Sequence, residues 1–187
     1  MTFTFIFMSN KFISWLLFFI LCFIWGSSFI LMKWGMFDKY QQPVLSPYHV
    51  AALRLLSAGI IMLPFLYQSF RQKNKKTLWT IILSGWLGSF FPAFLFCIAE
   101  TKIDGALTGS LNSLTPLFVI ITGALFFNVK TSFNKTFGVL VGLAGSVLMI
   151  TGNISQPPAH LAYTGFVILA TIFYGINVNM IHKKLMG

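Results

Sequence analysis

Long apolar stretches dominate the chain and are separated by short polar segments. Six of these stretches reach or approach the roughly 20 residues that a membrane-spanning helix needs. They cover residues 12–34, 48–67, 78–99, 106–127, 137–151 and 161–181, and the fifth is extended at its start by Phe133. The connections are rich in Gly, Pro, Asn and Lys, which is typical of loops between antiparallel neighbours. The pattern predicts an all-α, polytopic transmembrane bundle of about six spanning helices.

Composition and charge support a membrane protein. Of the 187 residues, 57% are hydrophobic and only 9% are charged, against roughly 25% charged residues in an average soluble domain. A soluble fold of this size leaves too much surface exposed to hide that apolar area, so the expected partner is a lipid bilayer. The net charge of +10 is explained by Lys and Arg in cytoplasmic loops. We therefore expect no nucleic-acid partner.

The basic residues fall on one side of the membrane if the N-terminus is cytoplasmic. The inner segments then carry basic residues and no acidic ones, namely Lys11, Arg71, Lys73, Lys75, Lys76, Lys130, Lys135, Lys183 and Lys184. At the outer ends Lys33, Lys39 and Lys102 are balanced by Asp38, Glu100 and Asp104. This asymmetry predicts that residues 1–11 and the C-terminus are cytoplasmic and that the chain lies in the cytoplasmic membrane.

Polar residues inside apolar spans usually face protein or a water-filled cavity. Arg54 lies inside the second span, where it either extends its charge to the interface or lines an outward-facing cavity and pairs with Glu100. Glu100 alternatively caps a helix end or lies at the surface. In the fourth span, Pro116 frees the backbone carbonyl of Asn112, which is tolerated only inside protein or in a wet cavity. That face is therefore either a packing surface or a wall of a substrate cavity.

Small residues predict close helix packing in several spans. Gly109 and Pro116 share the face of the fourth span, and Gly138, Gly142 and Gly145 predict a tight contact of the fifth. Asn177 in the sixth span either packs against a neighbour or binds a ligand. The chain has no catalytic acid–base pair, zinc-ligand spacing or phosphate-binding loop. We therefore expect no catalytic residues, no metal, no cofactor and no enzyme activity.

Several of these segments resemble a known family. Residues 23–29, Phe-Ile-Trp-Gly-Ser-Ser-Phe, followed by Lys33, are similar to the first-helix signature of the EamA-type domain in the drug/metabolite transporter superfamily. Arg54 in its Ala-Ala-Leu-Arg-Leu-Leu context, the fourth-span segment that ends in Leu-Thr-Pro-Leu-Phe, and the glycines at 138–145 also resemble that domain. The matches keep their order from about residue 12 to 152.

The resemblance implies the domain organisation and the function. Family members usually have ten helices in two inverted repeats, so residues 12–152 would form the first repeat. Residues 153–187 would hold the sixth helix and begin a truncated second repeat. The implied function is movement of small organic solutes by alternating access. The alternative is a non-transporting fragment, or a half that assembles with a second copy or a complementary chain.

The resemblance, together with the polar residues inside the spans, suggests where a solute would bind. Trp25 would stack on an apolar or aromatic part of the solute, and Asn112 would supply hydrogen bonds. Arg54 would attract an anionic group or stabilise the outer gate. The full set of candidate cavity residues is Trp25, Ser28, Arg54, Asn112, Tyr174 and Asn177.

Overall fold

The computed structural model describes residues 11–70, 75–129, 132–152 and 161–186. These residues are almost entirely helical and contain no β-strand; their only bridge pairing is an isolated antiparallel one between Phe37 and Pro43. The predicted cytoplasmic N-terminus, apart from Lys11, lies outside the described residues, as does the connection at 153–160.

Eight α-helices follow one another along the described chain. They are α1 (Lys11–Met36), α2 (Pro47–Phe70), α3 (Lys75–Gly85), α4 (Phe91–Ala99), α5 (Gly105–Asn112), α6 (Thr115–Phe127), α7 (Phe133–Gly152) and α8 (Leu161–Ile181). A π-helical turn, Trp86–Phe90, joins α3 to α4, and a second one, His182–Met186, follows α8.

Five segments of the described chain are long and apolar enough to cross a membrane. They are Lys11–Met36, Pro47–Leu66, Thr77–Ala99, Gly105–Phe127 and Ala162–Leu185. Each coincides with a predicted span to within a few residues, which confirms a multi-pass helical membrane protein. The remaining predicted span, 137–151, lies within α7, which is not among the five. Some side chains of α7 are not among those that the structure describes.

The third span is interrupted near its middle. The π-helical turn Trp86–Phe90 contains Gly88 and lies between Gly85 and Pro92, where the glycines and the proline indicate an irregular helix. Pro92 has no backbone N–H, so one hydrogen bond to the preceding helical turn is missing. A π-helical turn is one of the few irregularities by which a helix accommodates a missing hydrogen bond.

The fourth span is interrupted at Ser113 and Leu114, between α5 and α6. Pro116 lies in the first turn of α6, where its missing N–H costs least. The Asn112 carbonyl accepts a hydrogen bond from Thr115 Oγ1 at 2.8 Å. The carbonyl that the sequence predicts to be freed is thus satisfied by a neighbouring hydroxyl.

Helix α8 lies at the centre of the bundle and packs most extensively on α6 and α4. A Cβ added to Gly175 would lie 2.7 Å from the Phe118 carbonyl carbon, so the backbones of α6 and α8 approach as closely as only glycine allows. The Asn179 side chain fixes the same contact by donating to Val119 O at 2.8 Å and to Thr122 Oγ1 at 3.1 Å.

The apolar core gathers at one end of the bundle, around the connections 37–46 and 100–104. Its buried members are Met32, Met36, Val50, Ala51, Phe96, Cys97, Ala99, Ile103, Leu107, Leu111, Val167 and Ala170. We call this the Glu100 end. The opposite half of α1 differs, because every residue from 11 to 26 is exposed.

The packing predicted for the glycines of α7 stays a prediction. A Cβ added at Gly138, Gly142 or Gly145 would meet no heavy atom of the described residues within 4 Å, but part of the α7 side chains is not described. The close approaches involve other glycines. Gly109 does pack, with Phe29 Cδ2 3.5 Å from the position of an added Cβ.

Candidate functional site: a polar cluster at one end of the bundle

Four charged side chains meet at the Glu100 end. Lys33 comes from α1, Arg54 from α2, Glu100 from the end of α4, and Asp104 from the start of α5. We call these four residues the polar cluster. Lys33 and Arg54 are both close enough to Glu100 to act on it electrostatically, as is Asp104. The cluster therefore joins four separate elements of the bundle.

Glu100 is the most unusual member of the cluster. It is 0% exposed, and neither carboxyl oxygen has a hydrogen-bond partner among the described residues. It is the first residue after the span Thr77–Ala99. Burial raises the pKa of its carboxyl to about 8, although the charges of Lys33 and Arg54 oppose that rise. The interpretation that places Glu100 at the solvated surface is therefore wrong.

Lys33 ties α1 to the end of α4. Its ammonium donates to the Glu100 carbonyl oxygen at 2.8 Å and to the Ile103 carbonyl oxygen at 3.1 Å. These oxygens belong to the last turn of α4 and the connection after it, where a cation is favoured by the helix dipole. Lys33 therefore contacts the peptide oxygens of this segment and not the carboxylate.

Arg54 contacts a thioether and not an acid. Its guanidinium donates to Met32 Sδ, and Cys97 Sγ lies 3.6 Å from the same sulfur. The predicted pairing of Arg54 with Glu100 is thus present as an electrostatic interaction without a hydrogen bond. Arg54 also lies within electrostatic range of the Tyr174 hydroxyl, so two of the predicted cavity residues are brought together here.

Asp104 is the N-cap residue of α5. Its Oδ1 accepts a hydrogen bond from Leu107 N at 2.7 Å and so caps α5 at its N-terminus. Its carboxylate is thereby satisfied, unlike that of Glu100. This leaves Glu100 as the acid of the cluster that has no such partner.

Tyr174 and Asn177 both lie on the face of α8 that meets α4. Tyr174 stacks on Phe96 with ring centroids 6.0 Å apart. Asn177 covers Gly88 in the π-helical turn so closely that a Cβ on Gly88 would clash with the Asn177 amide nitrogen. Asn177 Oδ1 is buried and has no hydrogen-bond partner among the described residues. It is an acceptor available deep in the bundle.

The other predicted cavity residues have local contacts. Trp25 is 59% exposed on α1. Ser28 Oγ donates to the Trp25 carbonyl oxygen at 2.7 Å, one helical turn back. The Asn112 side chain accepts from Thr115 Oγ1 at 3.2 Å, beside the break in the fourth span. These three residues keep their candidate roles as predictions.

Two clefts open at the Glu100 end. One of about 500 Å³ is lined by Lys33, Trp34, Phe37, Asp38, Lys39 and Gln41. The other, of about 470 Å³, is lined by residues of the connections 37–46 and 100–104, among them Lys102, and by the helix ends at Met36 and Pro47. Among the described residues, no group of three or more His, Cys, Asp or Glu could hold a metal ion.

Lys33 and Asp104 are the two members of the polar cluster for which the sequence predicted no role in the cavity, whereas Glu100 was predicted there only as a partner of Arg54. The sequence signal for Glu100 is that it is the only glutamate of the chain and lies at the end of an apolar span. Its burial depends on packing by other helices, α1 among them, and no local pattern encodes that contact. Lys33 carries a signal too, as a cation inside the last turn of α1.

The fold and the cluster define a multi-pass helical membrane protein with interrupted spans and buried polar groups. The model of the EamA-like transporter family matches residues 12–151. The chain therefore belongs to the EamA-like transporter family.

Named relatives agree with this family. The chain is 28% identical to the uncharacterized transporter YdfC of Bacillus subtilis over 69% of its own length and 40% of the relative's. It is 26% identical to an uncharacterized transporter of Archaeoglobus fulgidus, over 79% and 50% of the two chains. For the uncharacterized inner membrane transporter YicL of Salmonella typhimurium the identity is 24%, over 82% and 49%.

The chain spans about half the length of the curated relatives it matches. No solved structure gave a match.

Proposed function

We propose that the chain moves small organic solutes across the cytoplasmic membrane by alternating access, as a transporter or as the N-terminal part of one. The observation that carries the proposal is that both interrupted spans pack on α8, where Asn177 Oδ1 is buried without a partner. Irregular backbone at membrane depth is tolerated only where it is buried in protein or lines a cavity. Broken helices of this kind form the solute sites of many transporters.

Each candidate residue takes a role suited to its chemistry. Asn177 accepts a hydrogen bond from the solute, and Arg54 attracts an anionic group near the Glu100 end. Tyr174 lies between them on α8, and Trp25 with Ser28 lies on α1. The charge asymmetry of the loops supports cytoplasmic termini. The Glu100 end then faces away from the cytoplasm.

The test is uptake by liposomes that contain the purified chain. Radiolabelled amino acids, nucleosides, dicarboxylates and choline serve as probes. We expect uptake of at least one probe and a reduction of about fivefold or more in Asn177→Ala, because that substitution removes the available acceptor. Asn134→Ala is the matched control, since Asn134 is exposed on α7. Equal uptake by the two variants would contradict the role given to Asn177.

A second candidate is a half-transporter that needs a second copy or a complementary chain. The observation in its favour is that residues 11–26 of α1 are exposed throughout. It predicts that the chain alone takes up no probe and that co-expression with the unmatched C-terminal part of YdfC restores uptake. A chain that is monomeric by native mass spectrometry and inactive in both settings supports a non-transporting fragment.

A further inference from the structure

Glu100 has a property that the solute-binding proposal does not use. Its side chain is 0% exposed, and both carboxyl oxygens have no hydrogen-bond partner in the described part of the chain. An ionised carboxylate in such a place loses its hydration and gains no hydrogen bonds in return. The protonated acid costs far less, so the geometry around Glu100 favours a bound proton.

The charged and titratable groups around Glu100 come from every element packed against it. Lys33 lies on α1, Arg54 on α2, Cys97 on α4 itself, and Asp104 before α5. On α8, Tyr174 lies within range of Arg54. Two cations are therefore near the carboxyl, yet no hydrogen bond joins either of them to it.

The donors of both cations are directed elsewhere. The Lys33 ammonium donates to the carbonyl oxygens of Glu100 and Ile103. The Arg54 guanidinium donates to Met32 Sδ, a weak acceptor. Lys33 holds the backbone oxygen of the very residue whose carboxyl lacks a partner. Lys33 is also close enough to act electrostatically on the carboxyl of the same residue, so its flexible side chain is suited to exchange the backbone oxygen for a carboxyl oxygen.

We propose that Glu100 is a proton-binding site, and that release of its proton transfers Lys33 from the two peptide oxygens to the new carboxylate. The O–H bond of the carboxylic acid breaks, and the proton passes to water. The carboxylate then accepts an N–H bond from the Lys33 ammonium, which keeps its own charge. No electron is gained or lost. The cleft of about 500 Å³ lined by Lys33 supplies the water.

The transfer has a mechanical consequence at the Glu100 end. The bonds of Lys33 join α1 to the connection 100–104, which links the third span to the fourth. When Lys33 moves to the carboxylate, α1 stays joined to Glu100 through its side chain but gives up the bond to the Ile103 carbonyl oxygen. The far part of this connection is then no longer held by α1. That this proton is the coupling ion for solute movement rests on the proposed function. Proton binding at Glu100 does not depend on the proposed function.

The first experiment titrates Glu100 directly. Because Glu100 is the only glutamate of the chain, incorporation of glutamate labelled with ¹³C at Cδ gives one carboxyl signal in infrared or NMR spectra. We expect that signal to report the protonated acid at pH 6 and to disappear well above the usual glutamate value of about 4.3. Glu100→Gln should abolish it, and Lys33→Gln should move the midpoint further upward.

Asp38→Asn is the matched control, because Asp38 accepts bonds from the Tyr40 and Gln42 amides in the neighbouring connection. It should leave the midpoint unchanged. A titration midpoint of about 4.3, or a midpoint that is the same in the parent chain and in Lys33→Gln, would overturn the proposal.

The second experiment detects the movement of Lys33 by amide hydrogen exchange at residues 100–104. The ratio of exchange rates between the parent chain and Glu100→Gln cancels the intrinsic effect of pH. We expect this ratio to rise several-fold above the midpoint, and an unchanged ratio would overturn the transfer. Neither experiment needs a solute. If Glu100 titrates as expected but the chain takes up no probe, the proposed proton site stands and only the transport proposal is contradicted.

Discussion

At the residue scale, Lys33 places a cation where a helix end needs one. Its ammonium satisfies two carbonyl oxygens around the end of α4, at 2.8 and 3.1 Å. We expect Lys33→Met to lower the free energy of unfolding by about 1–3 kcal/mol, because hydrogen bonds from a charged donor are lost while the apolar stem is kept. Denaturant unfolding in detergent, followed by circular dichroism, measures this change.

Lys39→Met is the control for that prediction, since Lys39 is an exposed residue of the neighbouring connection. It should change the free energy of unfolding by less than about 0.5 kcal/mol. Similar losses in both variants would mean that the contacts of Lys33 contribute nothing specific.

The buried carboxyl of Glu100 makes stability depend on pH. Its pKa is raised from 4.5 to about 8 by burial, so the folded state holds a proton that the unfolded state releases. The sign follows from linkage: the contribution is complete below pH 4.5 and is lost as the pH rises towards 8. We expect the melting temperature in detergent to fall across that window.

Glu100→Gln should flatten this dependence, because glutamine stays neutral and nearly isosteric. The comparison is made as the difference between the two melting curves at each pH, which removes the contribution of other titrating groups. A difference that stays constant between pH 5 and 8 would contradict the prediction.

Much of the residue-level site could be predicted from the sequence, up to the point where distant helices meet. Arg54 stands out because a cation inside an apolar span is costly. The burial of Glu100 depends on packing by α1, whose contact residue lies 67 positions earlier. Periodicity reports one helix at a time, so it does not say which helix covers a given residue.

At the element scale, the most extensive helix contact in the described chain is between α6 and α8. A Cβ on Gly175 would lie 2.7 Å from Phe118 backbone, whereas one on Gly165 would meet nothing within 4 Å. We expect Gly175→Ala to lower the free energy of unfolding by about 1–3 kcal/mol, because the helices must move apart. Gly165→Ala on the same helix should be neutral or slightly stabilising, since alanine favours the helix.

Both glycine variants are measured by the same denaturant titration in detergent. Both variants replace glycine by alanine in α8, so the change in helix propensity is the same. The difference between their free energies of unfolding therefore reports the effect of packing. Equal stability of the two variants would mean that α6 and α8 adjust their spacing at no cost.

The interruptions of the helices could be predicted better than their contacts. Pro92 and Pro116 lack an N–H, which favours a departure from the regular helix near each of them. Pro64 shows that this preference is not absolute, because α2 continues through it. The glycines of α7 give the opposite lesson. Their spacing permits a close contact, but whether another helix lies against Gly138, Gly142 or Gly145 depends on the rest of the assembly, so this contact stays a prediction.

At the scale of the whole molecule, the number and order of apolar helices follow from hydropathy, because the bilayer fixes the length of a span. The orientation rests on a different physical term, the preference of Lys and Arg for the cytoplasmic side. In the described chain, Lys183 donates to the Phe127 carbonyl oxygen at 3.1 Å. One of the predicted inner basic residues thus also satisfies the end of α6.

The orientation predicts which end of the bundle is accessible from outside the cell. In a Cys22→Ser background, Lys39→Cys should react with a membrane-impermeant maleimide on intact cells, because the connection after α1 is outside. Ser132→Cys, in the connection before α7, should react only after permeabilisation. Cys97 is 0% exposed and contributes little background. The opposite pattern would place the Glu100 end in the cytoplasm, and proton release from Glu100 would then be to the cytoplasm and not to the outside.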